Sequence, residues 1–420
     1  MKSFSFKDEN GRFYYGWWIV IAAAIVTGLV YSAIVTVTGV FMLPVTEDLG
    51  LSVAAYSLYV TVMSVTGIVT LAIISKFLNE KHIKKIMIIA GIIGVISFIG
   101  FAAAKNVWMF YIFAVPQGFC FAAMTMTPCQ LLVSNWFGEK AKGRAISLFL
   151  TGMTLVYLLL SKVVVSMGWR AGYVMLAACV AIGVIVAAAL VSWSPEKKGI
   201  RRIGDLDESE LQAMQSSVLK GIDFKVAIRK PITWLVLISC TLAVIASSSI
   251  LQHGIPTMVI SGSTPEQATG IISVLSLVML FTGPVIGVIC DKCRLTVAAV
   301  GTAASFAIAA LGLSMMGTSQ AGMWIFCVFY ILGVPTINII SPLLMNYMYG
   351  EKDMPRLIGY VNMFIAIGGA IGAAGLGALY EHYGSYQKPW LIIAAVLALV
   401  AVIRAVATTK KRKYNPETDM

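Results

Sequence analysis

Apolar residues gather along this chain into twelve long blocks, at roughly 17–43, 53–75, 86–104, 108–133, 145–166, 172–193, 232–257, 268–290, 295–317, 322–348, 357–380 and 389–407. Each block is close to the ~20 residues that carry an α-helix across the hydrocarbon core of a bilayer. The blocks are continuous rather than alternating, and they exceed the ~10 residues of a barrel strand, so membrane β-structure is excluded. The polar breaks between blocks are short, with one exception. Six blocks precede residue 194, six follow residue 231, and the longest polar stretch lies between. The pattern predicts an all-α membrane protein: an N-terminal six-helix bundle over 1–193, a cytoplasmic linker over 194–231 and a C-terminal six-helix bundle over 232–420.

The halves share words. Gly138-Glu139-Lys140-x-x-x-Arg144 returns 212 residues later as Gly350-Glu351-Lys352-x-x-x-Arg356. Trp136-Phe137 precedes the first copy and Tyr347-Met348-Tyr349 the second, while Trp108-x-Phe110 is echoed by Trp324-x-Phe326. A repeat of this length implies two pseudo-symmetric bundles of six helices each.

Composition closes the soluble alternative. Hydrophobic residues make up 59% of the chain, charged residues 12%, and the mean hydropathy is +0.87. The net charge of +12 then acquires a topological meaning. With a cytoplasmic N-terminus and alternating spans, 27 of the 31 Lys and Arg fall in or beside cytoplasmic segments. That asymmetry follows the positive-inside rule. It places both termini in the cytoplasm and the multi-pass chain in the inner (cytoplasmic) membrane, and it removes nucleic acid as a partner. Lys197, Lys198, Arg201, Arg202 and the tail Lys410, Lys411, Arg412 and Lys413 are expected to meet anionic headgroups. All nine tryptophans fall at or near block ends, which reads as an interfacial aromatic belt. In the linker, Asp205-x-Asp207-Glu208-x-Glu210 opens a short amphipathic segment, read as a surface tether.

Seven cysteines, mostly inside apolar blocks, give no disulfide framework. The lone Cys290-x-x-Cys293 reads as small packing residues rather than a metal site. No nucleophile–base pairing, metal cluster or phosphate loop is legible, so the chain is expected to be no enzyme, to need no cofactor, and to work as a monomer in lipid.

Six plus six helices around a central cytoplasmic loop resembles the major facilitator superfamily over nearly the full length of the chain. The hallmark of that superfamily is a Gly-x-x-x-Asp-Arg/Lys loop after the second helix of each half. Gly287-x-x-x-Asp291-Lys292 matches it, whereas Ser75-x-x-x-Asn79-Glu80, 212 residues earlier, has lost both the glycine and the aspartate. The expected gate has Gly287 permitting close helix approach, Asp291 and Lys292 at the cytoplasmic turn, and Arg356 as the partner of Asp291. Arg144 faces uncharged Asn79 instead. Tyr15-Gly16-Trp17-Trp18, Gly39-Val40-Phe41, Trp136-Phe137, Gly168-Trp169-Arg170 and His253-x-x-Pro256 look like the monocarboxylate-carrier-like branch, which includes oxalate–formate-type antiporters. That resemblance implies transport of a small organic anion, a carboxylate, by alternating access with proton symport or exchange for a counter-anion. One departure stands out. Members often place a substrate-pairing arginine four residues before the hallmark glycine, where this chain has Gly283.

Candidate chemistry is sparse. Lys162 reads as the one formal charge well inside a span, either attracting the anion or snorkelling outward. His253 titrates near neutrality and is the candidate for proton coupling and for substrate contact, or else a polar link between helices. No Asp or Glu falls in the middle of a block. Tyr31, Gln117, Tyr157 and Asn338 sit near mid-block and complete the expected substrate-binding set. Prolines 116, 128, 335 and 342 predict bends in the fourth and tenth helices. Gly368, Gly369, Gly372, Gly375 and Gly377 predict a smooth, close-packing eleventh helix. Two alternatives stay open: an exporter or importer of an amphipathic or neutral compound, and a sensor that keeps a transporter fold.

Overall fold

In the computed structural model, residues 6, 11–165, 168–204, 221–292, 295–350 and 352–409 are described. Each of the twelve apolar blocks falls on a helical stretch. The first half contains α1 (Gly16–Tyr31), α2 (Thr38–Leu49), α3 (Val53–Ile74), α4 (Ile83–Ala102), α5 (Val107–Met124), α6 (Met126–Trp136), α7 (Glu139–Val165) and α8 (Trp169–Leu190). The second contains α9 (Pro231–Ile260), α10 (Pro265–Lys292), α11 (Leu295–Met315), α12 (Ala321–Gly333), α13 (Ser341–Tyr349), α14 (Met354–Tyr383) and α15 (Gln387–Thr409). Among the described residues, nine helical stretches are long and apolar enough to cross a membrane. Helix is the form these blocks must take, because lipid offers no partner for a free backbone N–H or C=O. Bulky apolar side chains stand exposed along them, including Ile96, Ile112, Phe281 and Val402. In water such a surface would aggregate; against lipid tails it costs nothing.

Three blocks are interrupted. The first passes from α1 through a π-turn, Ser32–Thr36, into α2. The fourth breaks at Thr125, between α5 and α6. The tenth passes from α12 through a π-turn, Thr336–Ile340, into α13. Position 125 plus the repeat offset of 212 is 337, so the fourth and tenth helices break at equivalent places, as their prolines predict.

The chain divides into two compact units, one of residues 1–51 and 62–217, the other of residues 52–61 and 218–420. In the first unit α1 packs on α7 and α8, and α4 packs on α5 and α8. Glycines permit the approach: a Cβ at Gly28 would stand 2.6 Å from Val156, and one at Gly152 would stand 2.7 Å from the Ala24 Cβ. An aromatic core joins Phe41, Phe98, Phe101 and Phe110 around Tyr173, with ring centroids 4.5 to 6.3 Å from the tyrosine.

In the second unit α9 packs along α14, and α11 along α12 and α15. The α9–α14 seam is a backbone contact. A Cβ at Gly368 would meet the Thr241 carbonyl oxygen at 2.6 Å, and one at Gly372 the Ile245 carbonyl oxygen at 2.5 Å. Thr241 Oγ1 donates to the Phe364 carbonyl at 3.0 Å and Ser249 Oγ to the Gly372 carbonyl at 2.8 Å. Residues 52–61, the start of α3, belong to this unit. The Ala54 N–H donates to Glu381 at 2.7 Å, and Thr61 Oγ1 donates to the Ala370 carbonyl. Gly377 makes room by facing Ala54 rather than α9.

The repeated Gly-Glu-Lys turn has the same kind of neighbour in both units. In the first, Gly138 N donates to the Ile203 carbonyl at 2.9 Å and Lys140 N to the Gly204 carbonyl at 3.0 Å. In the second, Ile222 N donates to the Tyr349 carbonyl at 2.8 Å, and Lys352 pairs with Asp223 at 2.8 Å. Each end of the linker is therefore bonded to the turn of its own unit. Glycine is needed at both contacts: Gly204 has φ +83° with Ala141 Cβ 2.7 Å from where its own Cβ would be, and a Cβ at Gly221 would meet the Tyr349 carbonyl oxygen at 2.7 Å. The acidic stretch Asp205–Glu210 lies outside the described residues.

The tryptophans correct the reading of a uniform belt. Trp108 and Trp324 are exposed, as a belt requires, but Trp136 and Trp390 are fully buried and Trp17 and Trp169 nearly so. Trp136 Nε1 donates to the Ser192 carbonyl, and Tyr14 Oη donates to the Trp136 carbonyl. Rings of Tyr14, Tyr15 and Trp17 pack on Trp136 and Phe137 at 5.0 to 6.0 Å. Sequence position puts these residues at helix ends; only packing turns them inward.

Candidate functional site

In the first unit the informative group is Gln117. The helix α5 is buried on the face bearing Phe110, Ala114, Gln117 and Met124. The Gln117 side chain is fully buried, yet neither Oε1 nor Nε2 has a hydrogen-bond partner among the described residues. Leaving both ends of an amide bare is costly, so such a group calls for a water or a ligand. One turn along α5, Phe121 packs on Tyr31 at 6.0 Å. The π-turn Ser32–Thr36 follows directly on Tyr31. In this π-turn the Ser32 carbonyl accepts from Val37 N at 3.0 Å and from Thr36 Oγ1 at 3.1 Å. Tyr31 thus packs on the helix that carries Gln117. Lys162 and Tyr157 lie on α7, but their side chains are outside the described residues.

In the second unit a buried cation occupies the break in the tenth helix, and sequence reasoning missed it. Arg404, on α15, is fully buried. Its Nη1 donates to the Thr336 carbonyl at 2.9 Å and to Thr336 Oγ1 at 2.6 Å, and its Nη2 donates to Ser341 Oγ at 3.2 Å. The Cys240 thiol of α9 lies beside the guanidinium. Among the described residues no carboxylate pairs with it. Lys162 is therefore not the sole formal charge inside a span. The signal was present: Arg404 is flanked by Ala401-Val402-Ile403 and Ala405-Val406-Ala407, but its place near a block end put it among the cytoplasmic cations.

His253 lies in a different setting from the one a free titrating group needs. It is fully buried on α9. Its Nε2 contacts the Ala373 carbonyl at 2.8 Å and must carry the proton there, since a carbonyl only accepts. Its Nδ1 is 3.0 Å from the Tyr386 hydroxyl. Thr257 Oγ1 donates to the His253 carbonyl and in turn accepts from Trp390 Nε1 at 3.0 Å. Both ring nitrogens are engaged in joining α9 to α14 and to the start of α15. Coupling would require one of these bonds to break.

The gate residues are only partly described. Helix α10 continues through Lys292, so Gly287, Asp291 and Lys292 sit on a helix end rather than in a loop, and their side chains lie outside the described residues. The described ion pair of Arg356 is with Asp353, at 3.9 Å, while Asp353 also accepts from Phe224 N at 2.8 Å. Arg144 is exposed. Asn79 turns its Oδ1 onto the backbone N–H groups of Lys81 and His82, at 3.1 and 3.2 Å, and so caps the entry to α4. The Asn338 backbone lies within the Thr336–Ile340 π-turn, with its side chain outside the described residues. One site word is explained directly: Trp169 Nε1 and Arg170 Nη1 both donate to Asp48, at 3.2 and 2.7 Å, so Gly168-Trp169-Arg170 clasps the end of α2.

Membrane-length helices, with broken spans in each unit and a buried charge beside one break, define a multi-pass membrane protein. The chain belongs to the Major Facilitator Superfamily, whose model matches residues 20–350. Among solved structures, a bacterial homologue of the human lysosomal transporter Spinster, inward-facing and unoccupied, is similar at TM-score 0.76 and 14% identity, covering 96% of this chain and 99% of that one. The nucleoside transporter NupG is similar at TM-score 0.73 and 13% identity, over 94% and 100% of the two chains. A D-xylose–proton symporter is similar at TM-score 0.71 and 12% identity, over 96% and 99%. At such identity these likenesses speak for the fold alone. No curated protein matches the chain by sequence. The chain is accordingly a membrane-embedded transporter working by alternating access, with lipid around it and a small molecule as cargo.

Proposed function

We propose that this transporter moves a small organic anion, a carboxylate, across the cytoplasmic membrane by proton symport or by exchange for another anion. The observation that supports this most is the sign of the charge inside the spans. All 19 acidic residues lie outside the middle of the apolar blocks, whereas Arg404 is fully buried in one and Lys162 lies within another. An anion entering that field is favoured, and a cation finds no acidic partner. In this reading Lys162, Tyr31, Gln117, Tyr157 and Asn338 contact the cargo, and Gly287, Asp291, Lys292, Arg144 and Arg356 form the cytoplasmic gate. The termini are cytoplasmic and the working form is a monomer. The test is uptake of radiolabelled carboxylates into proteoliposomes, with and without an imposed pH gradient. Saturable uptake that unlabelled carboxylates compete for is the expected result; a panel in which none moves or competes would sink the anion reading.

A neutral polar cargo is the second reading, and one observation favours it. The unpartnered polar group at the candidate site is the uncharged Gln117 amide, while the Nη1 and Nη2 donors of Arg404 go to the protein itself. Uptake of uncharged amides or polyols in the same vesicles separates the two.

A further inference from the structure

The hydroxyl protons around Arg404 can be placed one by one. Thr302 Oγ1 donates to the Ala298 carbonyl at 2.8 Å, so in its 3.0 Å contact with Thr336 Oγ1 it accepts. The Thr336 hydroxyl, already accepting from Arg404, therefore spends its proton on Thr302. Ser341 Oγ also accepts from Arg404 and donates to the Thr336 carbonyl at 3.1 Å. The network runs one way, from the guanidinium through three hydroxyls, and ends on two backbone carbonyls. Thr302, Thr336, Ser341 and Arg404 are all buried.

The backbone at its centre is the weak point of the tenth helix. Pro335 and Pro342 bracket the π-turn and supply no N–H, so the Ile331 and Asn338 carbonyls lose their ordinary helical donors and the helix is weakened on either side of Thr336. The break also exposes the negative end of α12, where a cation is favoured. Arg404 takes its place against the Thr336 carbonyl, inside the π-turn, and among the described residues no carboxylate pairs with it. Beyond the break, α13 leads directly into Gly350 and the repeated turn.

We propose that Arg404 is a positioning residue for transport: by holding the Thr336 carbonyl and Ser341 it fixes the break in the tenth helix, and so fixes the register of α13 and the turn that follows. The prolines then make a permanent bend rather than a working hinge. This role rests on the bonds that Arg404 makes within the protein, and it holds whether the cargo is an anion or neutral.

Peptide-resolved amide hydrogen exchange on the full chain in detergent tests it, using Arg404→Gln, Arg404→Lys and the pair Thr336→Val with Ser341→Ala. The expected result for Arg404→Gln is exchange about tenfold faster across residues 334–345, the scale of one lost charge-assisted hydrogen bond. Peptides from α11 and α14 should stay unchanged. Arg404→Lys, which keeps the charge but not the planar fork, should recover only part of the protection. Exchange that is unchanged at 334–345, or that rises equally over the whole unit, overturns the proposal. If Arg404→Gln does not fold, the hydroxyl pair decides alone: local loosening supports the proposal and wild-type protection refutes it. Uptake of labelled lactate by the same variants, normalised to folded protein, adds a second readout, with a raised KM expected for Arg404→Gln. A wild type that does not carry lactate would count against the anion reading only, and the exchange data would still decide the role of Arg404.

Discussion

Two side chains separate what a residue does for the fold from what it does for transport. The buried Gln117 amide is a liability to the fold, because two bare polar atoms cost about 1–3 kcal/mol. Gln117→Leu should therefore leave the thermal midpoint unchanged or raise it, while cargo affinity falls about tenfold, the worth of one hydrogen bond. A loss of stability with unaltered uptake would return Gln117 to the scaffold. His253 is the opposite case. With Nε2 on the Ala373 carbonyl and Nδ1 on Tyr386, replacement by Ala removes the donor to a buried carbonyl and the contact to the Tyr386 hydroxyl. His253→Ala should lower stability by about 1–3 kcal/mol and leave the pH profile of uptake as in the wild type. Disappearance of that pH dependence would instead assign proton coupling to the ring. Sequence alone could raise both candidates but could not tell them apart, because hydrogen-bond saturation is a property of neighbours over a hundred residues away.

The glycines of the eleventh helix carry the lesson at the scale of one element. Five of them on α14 read as one smooth surface, but they divide by direction. Gly368 and Gly372 press on the α9 backbone, Gly377 faces Ala54, and Gly369 has nothing within 4 Å of a Cβ. Gly372→Ala should part α9 from α14 and cost about 1–3 kcal/mol through overpacking. Gly369→Ala should be neutral or slightly stabilising, since it only restricts the unfolded chain. Thermal melting of the two purified variants checks the contrast, and equal effects would refute the seam. The linker ends allow a parallel trial. Gly204→Ala must adopt φ +83° against Ala141, so it should loosen the 137–142 turn, seen as faster amide exchange there and not in α5. The same kind of turn word was visible in the sequence from the start. What it binds was not, because the linker reaches it through backbone hydrogen bonds that carry no side-chain pattern.

At the scale of the whole molecule, hydropathy and charge asymmetry predict the topology directly. A single cysteine placed at Lys411, on a background lacking the native cysteines, should react with an impermeant maleimide only after the membrane is permeabilised. Labelling of intact cells would reverse the orientation. The major facilitator resemblance, read from a six-plus-six plan and one surviving hallmark loop, agrees with the family match across residues 20–350. The finer branch rests on short words, and several of these have scaffold roles. Tyr15-Gly16-Trp17-Trp18 and Trp136-Phe137 form one aromatic cluster, and Trp169-Arg170 clasps Asp48.

The sequence by itself determined the helices, their number, the duplication and the membrane, because burial in lipid is written in continuous apolar length and in where the cations stop. It also marked two of the three spans that break, through their prolines. Tertiary structure decided the rest. It turned Trp136 and Trp390 inward, gave His253 two partners, left Gln117 none, and set Arg404 against the opened backbone of the tenth helix. The reason is the same in each case. A helix offers its side chains in every direction, and only packing against neighbouring helices determines which polar group meets a partner, which meets lipid and which is left for the cargo.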